Sequence, residues 1–233
     1  MTTASAAGAP APLVGVLALQ GAFASHQERL AQLGAPTRQV RTPADLAGVD
    51  ALVMPGGEST TMSKLLVTSG LYDPIGELVT DGLPVLGTCA GMILLATEVL
   101  DSRPDQLSYG AIDITVRRNG YGRQLDSFET ELVMRDLPVG SATFHGVFIR
   151  APKVERVGQG VEVLAEHDGV PVLLRQRAVT VAAFHPELSN DHRLHAQFLN
   201  TFASTLDGGE AATVQGGSGP SEPQTGSERT RSS

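Results

Sequence analysis

Cysteine is almost absent from this 233-residue chain, which contains Cys89 and no other. A single cysteine cannot form a disulfide within the chain, so we expect a cytoplasmic protein. Long apolar runs are also missing, and none approaches the length of a bilayer-spanning helix. Residues 1–12 lack the basic start and the apolar stretch of a signal peptide. The chain therefore predicts neither secretion nor a membrane partner.

Positive charge and metal-ligand patterns are scarce as well. The chain has 17 Lys and Arg against 25 Asp and Glu, a formal net charge of −8 at pH 7, which argues against nucleic-acid binding. It has no cysteine pair and no His-x-x-x-His pattern beside a carboxylate, so we expect no metal and no cofactor. We interpret His192 and His195, which follow Asp191, as the solvated start of the last helix.

Composition divides the chain into three parts. Residues 1–12 are small and polar and predict a flexible leader. Residues 207–233 are rich in Gly, Ser, Thr, Glu and Gln, with almost no large apolar side chains, and predict a disordered tail because they cannot bury enough surface to offset their ordering entropy. We expect one folded domain over about 13–206.

Apolar runs and helical patterns alternate through the first half of this domain and indicate parallel βαβ units. The predicted strands are 14–19, 49–54 and 85–87. The predicted helices are one after Gly21 that ends at Gly34, one capped by Ser59 or Thr60, and 71–79 and 93–100. In the second half, antiparallel strands appended to the parallel sheet are predicted at 112–116, 129–134, 143–150, 161–167 and 170–175. A buried strand over 179–184 and a helix over 192–206 complete the prediction.

Cys89 lies in a G-x-C-x-G pattern, Gly87 to Gly91, between a predicted strand and a predicted helix. This is the cysteine version of the nucleophile elbow, a turn so tight that side chains at its flanks would clash with the strand or the helix. The helix that follows presents backbone N–H groups and a positive dipole end, which favour a thiolate and a developing oxyanion. A lone buried cysteine is the structural alternative.

A cysteine nucleophile needs a base, and His185 is the one histidine of six that follows a strongly apolar strand. Glu187 stands two residues later and can orient the imidazole, while Pro186 restricts the backbone between them. The structural alternatives are a histidine satisfied by a backbone carbonyl and a solvated loop carboxylate. Taken together with the elbow, the pattern favours a Cys89–His185–Glu187 triad.

The glycine-rich loop Pro55–Thr61 follows another predicted buried strand. Its two glycines allow main-chain N–H groups to approach a substrate oxygen, so the loop is a candidate half of an oxyanion hole. A phosphate site at the start of the next helix is an alternative, although the P-loop Gly-Lys-Ser/Thr is missing. An ordinary strand-to-helix turn is another.

These motifs resemble the triad-type glutamine amidotransferases. More closely, the chain is similar over about 13–202 to one branch, the glutaminase subunits of pyridoxal 5′-phosphate synthase complexes. The segments that carry the resemblance are Leu19–Ala22, Pro55–Thr61, Gly87–Gly91, Arg118–Gln124, Asp126–Glu129, Phe148–Pro152 and Phe184–Glu187. His145 and Gly146, before the Phe148–Pro152 segment, depart from the family pattern.

The resemblance implies an α/β three-layer sandwich around a mostly parallel sheet, and a role for each matching residue. Cys89 would be the nucleophile, His185 the base and then the acid, and Glu187 the residue that orients His185. L-Glutamine would be bound by Gly57, Glu58, Ser59, Arg118, Ile149 and Arg150. The oxyanion would be stabilised by the peptide of Gly56 and Gly57 and by the N–H of Ala90. Gln20 would lie near the interface with the synthase subunit, to which the ammonia passes.

Chemistry agrees with this interpretation, since a thiolate can attack the amide and leave a glutamyl thioester for water to hydrolyse. Arg118 and Arg150 could pair with the α-carboxylate of glutamine, or could be solvated strand-end charges. Three alternative functions stay open: a glutaminase subunit that serves a different synthase, a stand-alone cysteine hydrolase, and a catalytically silent binding module.

Overall fold

The structure is a computed structural model that describes residues 12–120, 127–135 and 143–207, with side chains described as far as residue 201. The predicted leader, 1–12, and the predicted tail, 207–233, lie outside these residues except for Pro12 and Asp207. None of the helices in the described ranges is both long and apolar enough to cross a membrane.

Strands and helices alternate at first and give way to a run of strands. The strands are β1 (Val14–Leu17), β2 (Thr37–Val40), β3 (Ala51–Met54), β4 (Val85–Thr88), β5 (Ala96–Leu100), β6 (Ile112–Arg117), β7 (Ser127–Val133), β8 (Thr143–Ile149), β9 (Lys153–Val157), β10 (Glu162–His167), β11 (Val170–Gln176) and β12 (Val179–Ala182). The helices are α1 (Phe23–Gln32), α2 (Ser59–Thr68), α3 (Tyr72–Thr80), α4 (Ala90–Leu95) and α5 (Arg193–Asp207), with 3₁₀ turns at Pro43–Leu46 and Pro186–Leu188.

A seven-stranded sheet in the order β10-β11-β12-β4-β3-β1-β2 forms the centre of the fold. The five strands from β12 to β2 are parallel, while β10 and β11 add antiparallel pairs at one edge. The predicted mostly parallel sheet with appended antiparallel strands is therefore confirmed. The other three predicted antiparallel strands do not join it: β6 lies in a small sheet with β5 and β9, and β7 and β8 form a sheet of their own.

Both faces of the central sheet are covered, which confirms the predicted three layers. Val53 on β3 packs on one face in a cluster with Leu30 of α1 and Phe198 of α5. Its neighbours Leu52 and Met54 belong to the larger core on the other face, to which α2, α4 and the small sheets contribute. Neighbouring residues of a strand point to opposite faces, so a strand covered on both sides reads as a continuous apolar run.

The predicted helix over 93–100 is wrong in its second half. The helix ends at Leu95, and Ala96–Leu100 continues as strand β5, parallel to β6. The N–H groups of Tyr109 and Ala111 bond to the carbonyls of Leu94 and Leu95 at 2.7 and 2.8 Å. These bonds come from a loop about fifteen positions away and satisfy carbonyls that a helix would use, so the chain turns into a strand.

Two strands have no counterpart in the sequence prediction. Strand β2 pairs with β1 at the sheet edge and buries only Val40 fully, and β9 is a largely polar strand of the second sheet in which Val154 is buried. An edge strand covered on one side carries no apolar run, so its pattern resembles a loop.

Candidate active site

Cys89 occupies a strained turn between strand β4 and helix α4. Its backbone has φ 48° and ψ −103°, a region that non-glycine residues rarely adopt and that costs about 1–3 kcal/mol. The turn is held by its own peptide groups: the N–H donates to the carbonyl of Ala182 at 2.8 Å, and the carbonyl accepts from Ile93 N–H at 3.3 Å. The thiol is therefore fixed at the carboxyl end of β4, as the elbow pattern predicts.

The glycines at either side of Cys89 allow this turn because backbone atoms of neighbouring segments lie where a side chain would be. A Cβ on Gly91 would lie 3.0 Å from the carbonyl carbon of Met54 and closer still to its oxygen. A Cβ on Gly87 would lie 2.8 Å from the carbonyl carbon of Gly91, across the elbow itself. Both neighbours are backbone atoms that cannot rotate away, which is the clash that the sequence pattern predicts.

His185 and Glu187 follow β12, the parallel neighbour of β4, so both strands present their carboxyl ends at one edge of the sheet. The side chains of His185 and Cys89 lie close enough to interact, and this interaction raises the pKa of His185. Nδ1 of His185 lies 2.7 Å from Oε1 of Glu187, and Glu187 is only 1% exposed. The alternative of a solvated loop carboxylate is therefore wrong. Backbone N–H of His185 also donates to the carbonyl of Val147 on β8 at 2.8 Å.

Electrostatics in this cluster favour a charged His185. Burial lowers the pKa of His185, but its interactions with Cys89 and Glu187 outweigh burial and raise the pKa to about 10. Burial raises the pKa of Glu187, but the neighbouring His26 and His185 outweigh burial and lower it. The arrangement therefore stabilises an imidazolium between a sulfur atom and a carboxylate, the state from which a cysteine nucleophile acts.

The glycine-rich loop lies directly against the pair. A Cβ on Gly56 would lie 2.9 Å from Nδ1 of His185 and 3.3 Å from Cβ of Cys89, so only a glycine fits here. The next residues hold Glu58 at the N-terminus of α2, where its carboxylate accepts from the N–H groups of Thr60 and Thr61 at 3.2 and 2.7 Å. The predicted caps, Ser59 and Thr60, are wrong, because both residues lie within the helix.

Glu58 also bears on the phosphate alternative for this loop. Its carboxylate occupies the helix N–H groups that a phosphate would need, and a second anion there would be repelled. Burial raises the pKa of Glu58, but hydrogen bonds from Thr61 and Thr60 outweigh burial and lower it to about 2. The group is thus ionised at neutral pH, and the loop does not favour phosphate.

A cavity of about 330 Å³ opens beside Cys89 and His185, at the small end of the range typical of small-molecule sites. Nine of the residues that line it were predicted for the site: Gln20, Gly57, Glu58, Ser59, Cys89, Arg118, Ile149, Arg150 and His185. Ile93 and Asn119 also line it and were not predicted. The other two oxyanion candidates lie beside Cys89: Gly56 belongs to the glycine-rich loop that packs on Cys89 and His185, and Ala90 follows Cys89 in the chain.

The two arginines of the cavity differ in their surroundings. Arg118 donates to Oε1 of Glu58 at 2.8 Å and to Oγ1 of Thr60 at 3.0 Å, with its side chain 17% exposed. It is therefore a constrained charge inside the cavity, and the alternative of a solvated charge is wrong for it. Arg150 is exposed, with a left-handed φ of 44° at the end of β8. The motif residues that follow Arg118 at 121–126 lie outside the described part of the chain.

Gln20 contacts the same loop from the β1–α1 connection. Its Oε1 accepts from the N–H of Glu58 at 3.3 Å. Neighbouring Gly21 lies so close to Gly56 that an added Cβ would be 2.9 Å from the Gly56 carbonyl carbon. The Gln20 connection and the candidate oxyanion loop are therefore in direct contact.

Two further histidines, outside the predicted site, lie behind Glu187. His26 on α1 and His195 on α5 are both fully buried, with Nδ1 of His26 3.0 Å from Nε2 of His195. The prediction of a solvated helix start is therefore wrong for His195. Asp191, His192 and Arg193 just before it are typical of a solvated helix start, while its partner His26 is 169 positions away in the sequence.

His145 is placed away from the cavity, on the outer strand pair. It is hydrogen-bonded to Glu129 and Glu131 of β7 at 2.9 Å each. These hydrogen bonds raise the pKa of His145 and tie β8 to β7. Within the described ranges, no three His, Cys, Asp or Glu side chains are grouped to hold a metal ion.

The chain is similar in sequence and in fold to known glutamine amidotransferases. The SNO glutamine amidotransferase family matches residues 16–204. The chain is 56% identical over 189 residues to the pyridoxal 5′-phosphate synthase subunit PdxT of Mycobacteroides abscessus, covering 81% of this chain and 96% of that protein. It is 55% identical over 188 residues to the PdxT of Corynebacterium jeikeium, covering 80% and 95%. A crystal structure of a glutamine amidotransferase superposes with a TM-score of 0.76 at 47% identity, covering 82% and 98%.

Proposed function

The chain belongs to the SNO glutamine amidotransferase family, and on that premise we propose that Cys89, His185 and Glu187 hydrolyse the side-chain amide of L-glutamine. The chain is a glutaminase whose ammonia serves pyridoxal 5′-phosphate synthesis, and the predicted family branch is confirmed. The alternatives of a different synthase, a stand-alone hydrolase and a silent binding module have no comparable support.

One observation carries the assignment of residues. A cysteine in strained backbone, at the carboxyl end of β4, interacts with a histidine that follows the adjacent parallel strand, and a buried carboxylate lies 2.7 Å from that histidine. Strain of this kind persists only where the surroundings hold it, and it is concentrated at functional sites.

The reaction follows from the positions of these groups. The sulfur attacks the amide carbon, the C–N bond breaks, and His185 gives its proton to the departing ammonia. A glutamyl thioester remains on Cys89. Water then attacks the thioester carbon, neutral His185 accepts the proton from water, and glutamate leaves as the sulfur is released. Glu187 stabilises the imidazolium and takes no part in bond making.

Substrate recognition is proposed for the rest of the cavity. Arg118 and Arg150 would bind the α-carboxylate, since guanidinium groups suit carboxylates, and Glu58 would favour the α-ammonium group. Gly57, Ser59 and Ile149 would complete the glutamine site. The Gly56–Gly57 peptide and the N–H of Ala90 would donate to the oxyanion in the transition state.

The partner follows from the family branch. The relatives are subunits of a pyridoxal 5′-phosphate synthase, and we propose on this support that the chain works with a synthase subunit. We further propose that Gln20 lies at that interface, because it contacts the candidate oxyanion loop through Glu58. A cytoplasmic location stays a prediction, supported by the need to keep the thiol of Cys89 reduced.

Substitution of the triad tests the assignment. We expect Cys89→Ala to abolish glutamate release and His185→Asn to be comparably damaging, with Glu187→Gln less so because it orients without transferring a proton. Circular dichroism and thermal midpoint check that each variant is folded. A folded Cys89→Ala chain that hydrolyses glutamine at the wild-type rate would refute the triad.

Titration of the synthase subunit tests the partner. The oxyanion donors act mainly in the transition state, so contact at Gln20 should raise kcat more than it changes KM. Steady-state glutaminase assays, with complex formation followed by light scattering, provide the measurement. An unchanged kcat at saturating partner, in a proven complex, would contradict this model of the interface.

A further inference from the structure

The side of Glu187 that faces away from His185 is occupied by a buried histidine. Nε2 of His26 lies 3.3 Å from Oε2 of Glu187, and both side chains are fully buried. The contact is not aligned as a full hydrogen bond, and no better-placed donor reaches Oε2 within the described part of the chain. His26 and Arg29, one turn apart on α1, both face this segment, since Arg29 Nε donates to the Glu187 carbonyl at 3.1 Å.

We propose that His26 is a positioning residue for the triad, an inference that rests on the proposed function. Its Nε2–H holds Glu187 ionised and oriented towards His185. His195 sets the tautomer of His26 that places a proton on Nε2. The imidazoles of His26 and His195 thus extend the triad through α1 to α5. Neither residue touches the cavity, so neither is a catalytic residue.

The tautomers follow from the contacts of each ring nitrogen. If Nε2 of His26 carries the proton, Nδ1 must accept, and the Nε2–H of His195 at 3.0 Å is its donor. His195 then keeps a bare Nδ1, which is the buried atom that lacks a partner. An unpaired buried lone pair costs less than an unpaired buried N–H.

The opposite arrangement is worse at both ends. It would place a lone pair of His26 Nε2 against the Glu187 carboxylate, and it would leave a buried Nδ1–H on His195 without an acceptor. Thr88 Oγ1 lies 3.2 Å from the same Nε2, so in the favoured arrangement the Nε2–H is shared between this hydroxyl oxygen and the Glu187 carboxylate. Thr88 precedes Cys89, so His26 contacts the chain beside the nucleophile as well as the carboxylate.

Burial supports neutral rings. Burial lowers the pKa of His26, and this outweighs the attraction of Glu187; burial also lowers the pKa of His195 well below its usual range. Two neutral rings at neutral pH leave a single negative charge on Glu187. That charge is then free to stabilise the imidazolium of His185.

Nitrogen NMR of the wild-type chain, labelled with ¹⁵N-histidine, tests the tautomers without any variant or any assay of activity. We expect His26 and His195 to be neutral at pH 7.5, each with the proton on Nε2. A cationic His26, or a proton on its Nδ1, would overturn the proposal.

The functional test compares three replacements of His26. Glutamine can place an amide N–H near the position of Nε2, while asparagine is too short to reach Glu187, and leucine has no donor. We expect His26→Asn and His26→Leu to lower kcat about tenfold to a hundredfold with KM within twofold. Without the donor, the Glu187 carboxylate is stabilised less, so the acid limb of the kcat/KM profile should move up by about 1 pH unit.

His26→Gln should restore the position of the acid limb and most of kcat. His145→Gln, which replaces an exposed histidine outside the site, is the matched control and should behave as wild type. A purely structural role would lower the active fraction equally at every pH, so equal pH profiles for the Gln and Asn variants would overturn the proposal. Failure of the triad itself is recognised separately, through Cys89→Ala.

Discussion

Adding one methyl group at Gly56 should disable the site without unfolding the chain. In Gly56→Ala the new Cβ would lie 2.9 Å from Nδ1 of His185 and closer still to Cε1, whereas ordinary contact begins at 3.4 Å. The ring or the loop must therefore shift by at least 0.5 Å. Nδ1 is also the atom that bonds to Glu187 at 2.7 Å, so a shift of the ring stretches the bond that orients it.

Catalytic groups need placement to within about 0.5 Å, and a 1 Å error can cost about a hundredfold in rate. We therefore expect Gly56→Ala to lower kcat by about tenfold to a hundredfold, which corresponds to about 1.4–2.7 kcal/mol in the barrier. The assay is steady-state glutamate release at saturating glutamine, in the presence of the synthase subunit, with the thermal midpoint measured in parallel.

Gly76→Ala is the matched control. Gly76 lies within α3, where an added Cβ meets Tyr109 at an ordinary 3.5 Å, so alanine should leave kcat unchanged and stabilise the helix by up to about 1 kcal/mol. A folded Gly56→Ala chain with kcat within twofold of wild type would show that the loop shifts without cost, and that the close packing of Gly56 on Cys89 and His185 is unimportant.

Other substitutions probe the cavity and the ends of the chain. Arg118→Met should raise KM for glutamine about tenfold with a smaller change in kcat, because it removes a proposed contact with the α-carboxylate. Initial rates over a range of glutamine concentrations measure KM, and an unchanged KM would contradict this role of Arg118. Glu58→Gln should lower the thermal midpoint near neutral pH, since the pKa of Glu58 is lowered to about 2 in the folded chain from 4.5. This stabilisation is present above pH 4.5 and is lost as pH falls towards 2. The thermal midpoints of the wild-type and Glu58→Gln chains should therefore converge near pH 2, and a difference that stays constant with pH would contradict this expectation. Deletion of 208–233 should change neither glutaminase rate nor midpoint, as its composition predicts, and a midpoint drop of several degrees would contradict this.

Local signals in the sequence predict the centre of the fold and bring together the residues of the proposed triad. Strands β1, β3, β4 and β12 are buried on both faces, so each reads as a continuous apolar run. The elbow depends on two glycines within five positions, and Glu187 bonds to a residue two positions away. Signals confined to so few positions can be read without knowing the fold.

Features that depend on distant partners could not be read in this way. Glu58 looked like a loop residue beside two good caps, but its carboxylate caps α2 and pairs with Arg118, sixty positions on. His195 looked like a solvated helix start, and only the packing of α5 against α1 buries it beside His26. Strand β5 arises because loop residues 109–111 satisfy the last carbonyls of α4. In each case tertiary contact overrides local preference.

The same distinction explains how the proposed triad is held. Cys89 and Glu187 each carry a local cost, one in backbone strain and one in the burial of a carboxylate. The contacts that offset these costs come from opposite sides of the sheet edge. On one side, strand β8 accepts from the backbone N–H of His185 through the Val147 carbonyl, and its Ile149 carbonyl lies 3.9 Å from the sulfur of Cys89. On the other, helix α1 meets Glu187 with His26 and Arg29. His185 lies between these two sets of contacts, so a loss on either side should disturb its geometry while the core of the sheet stays intact.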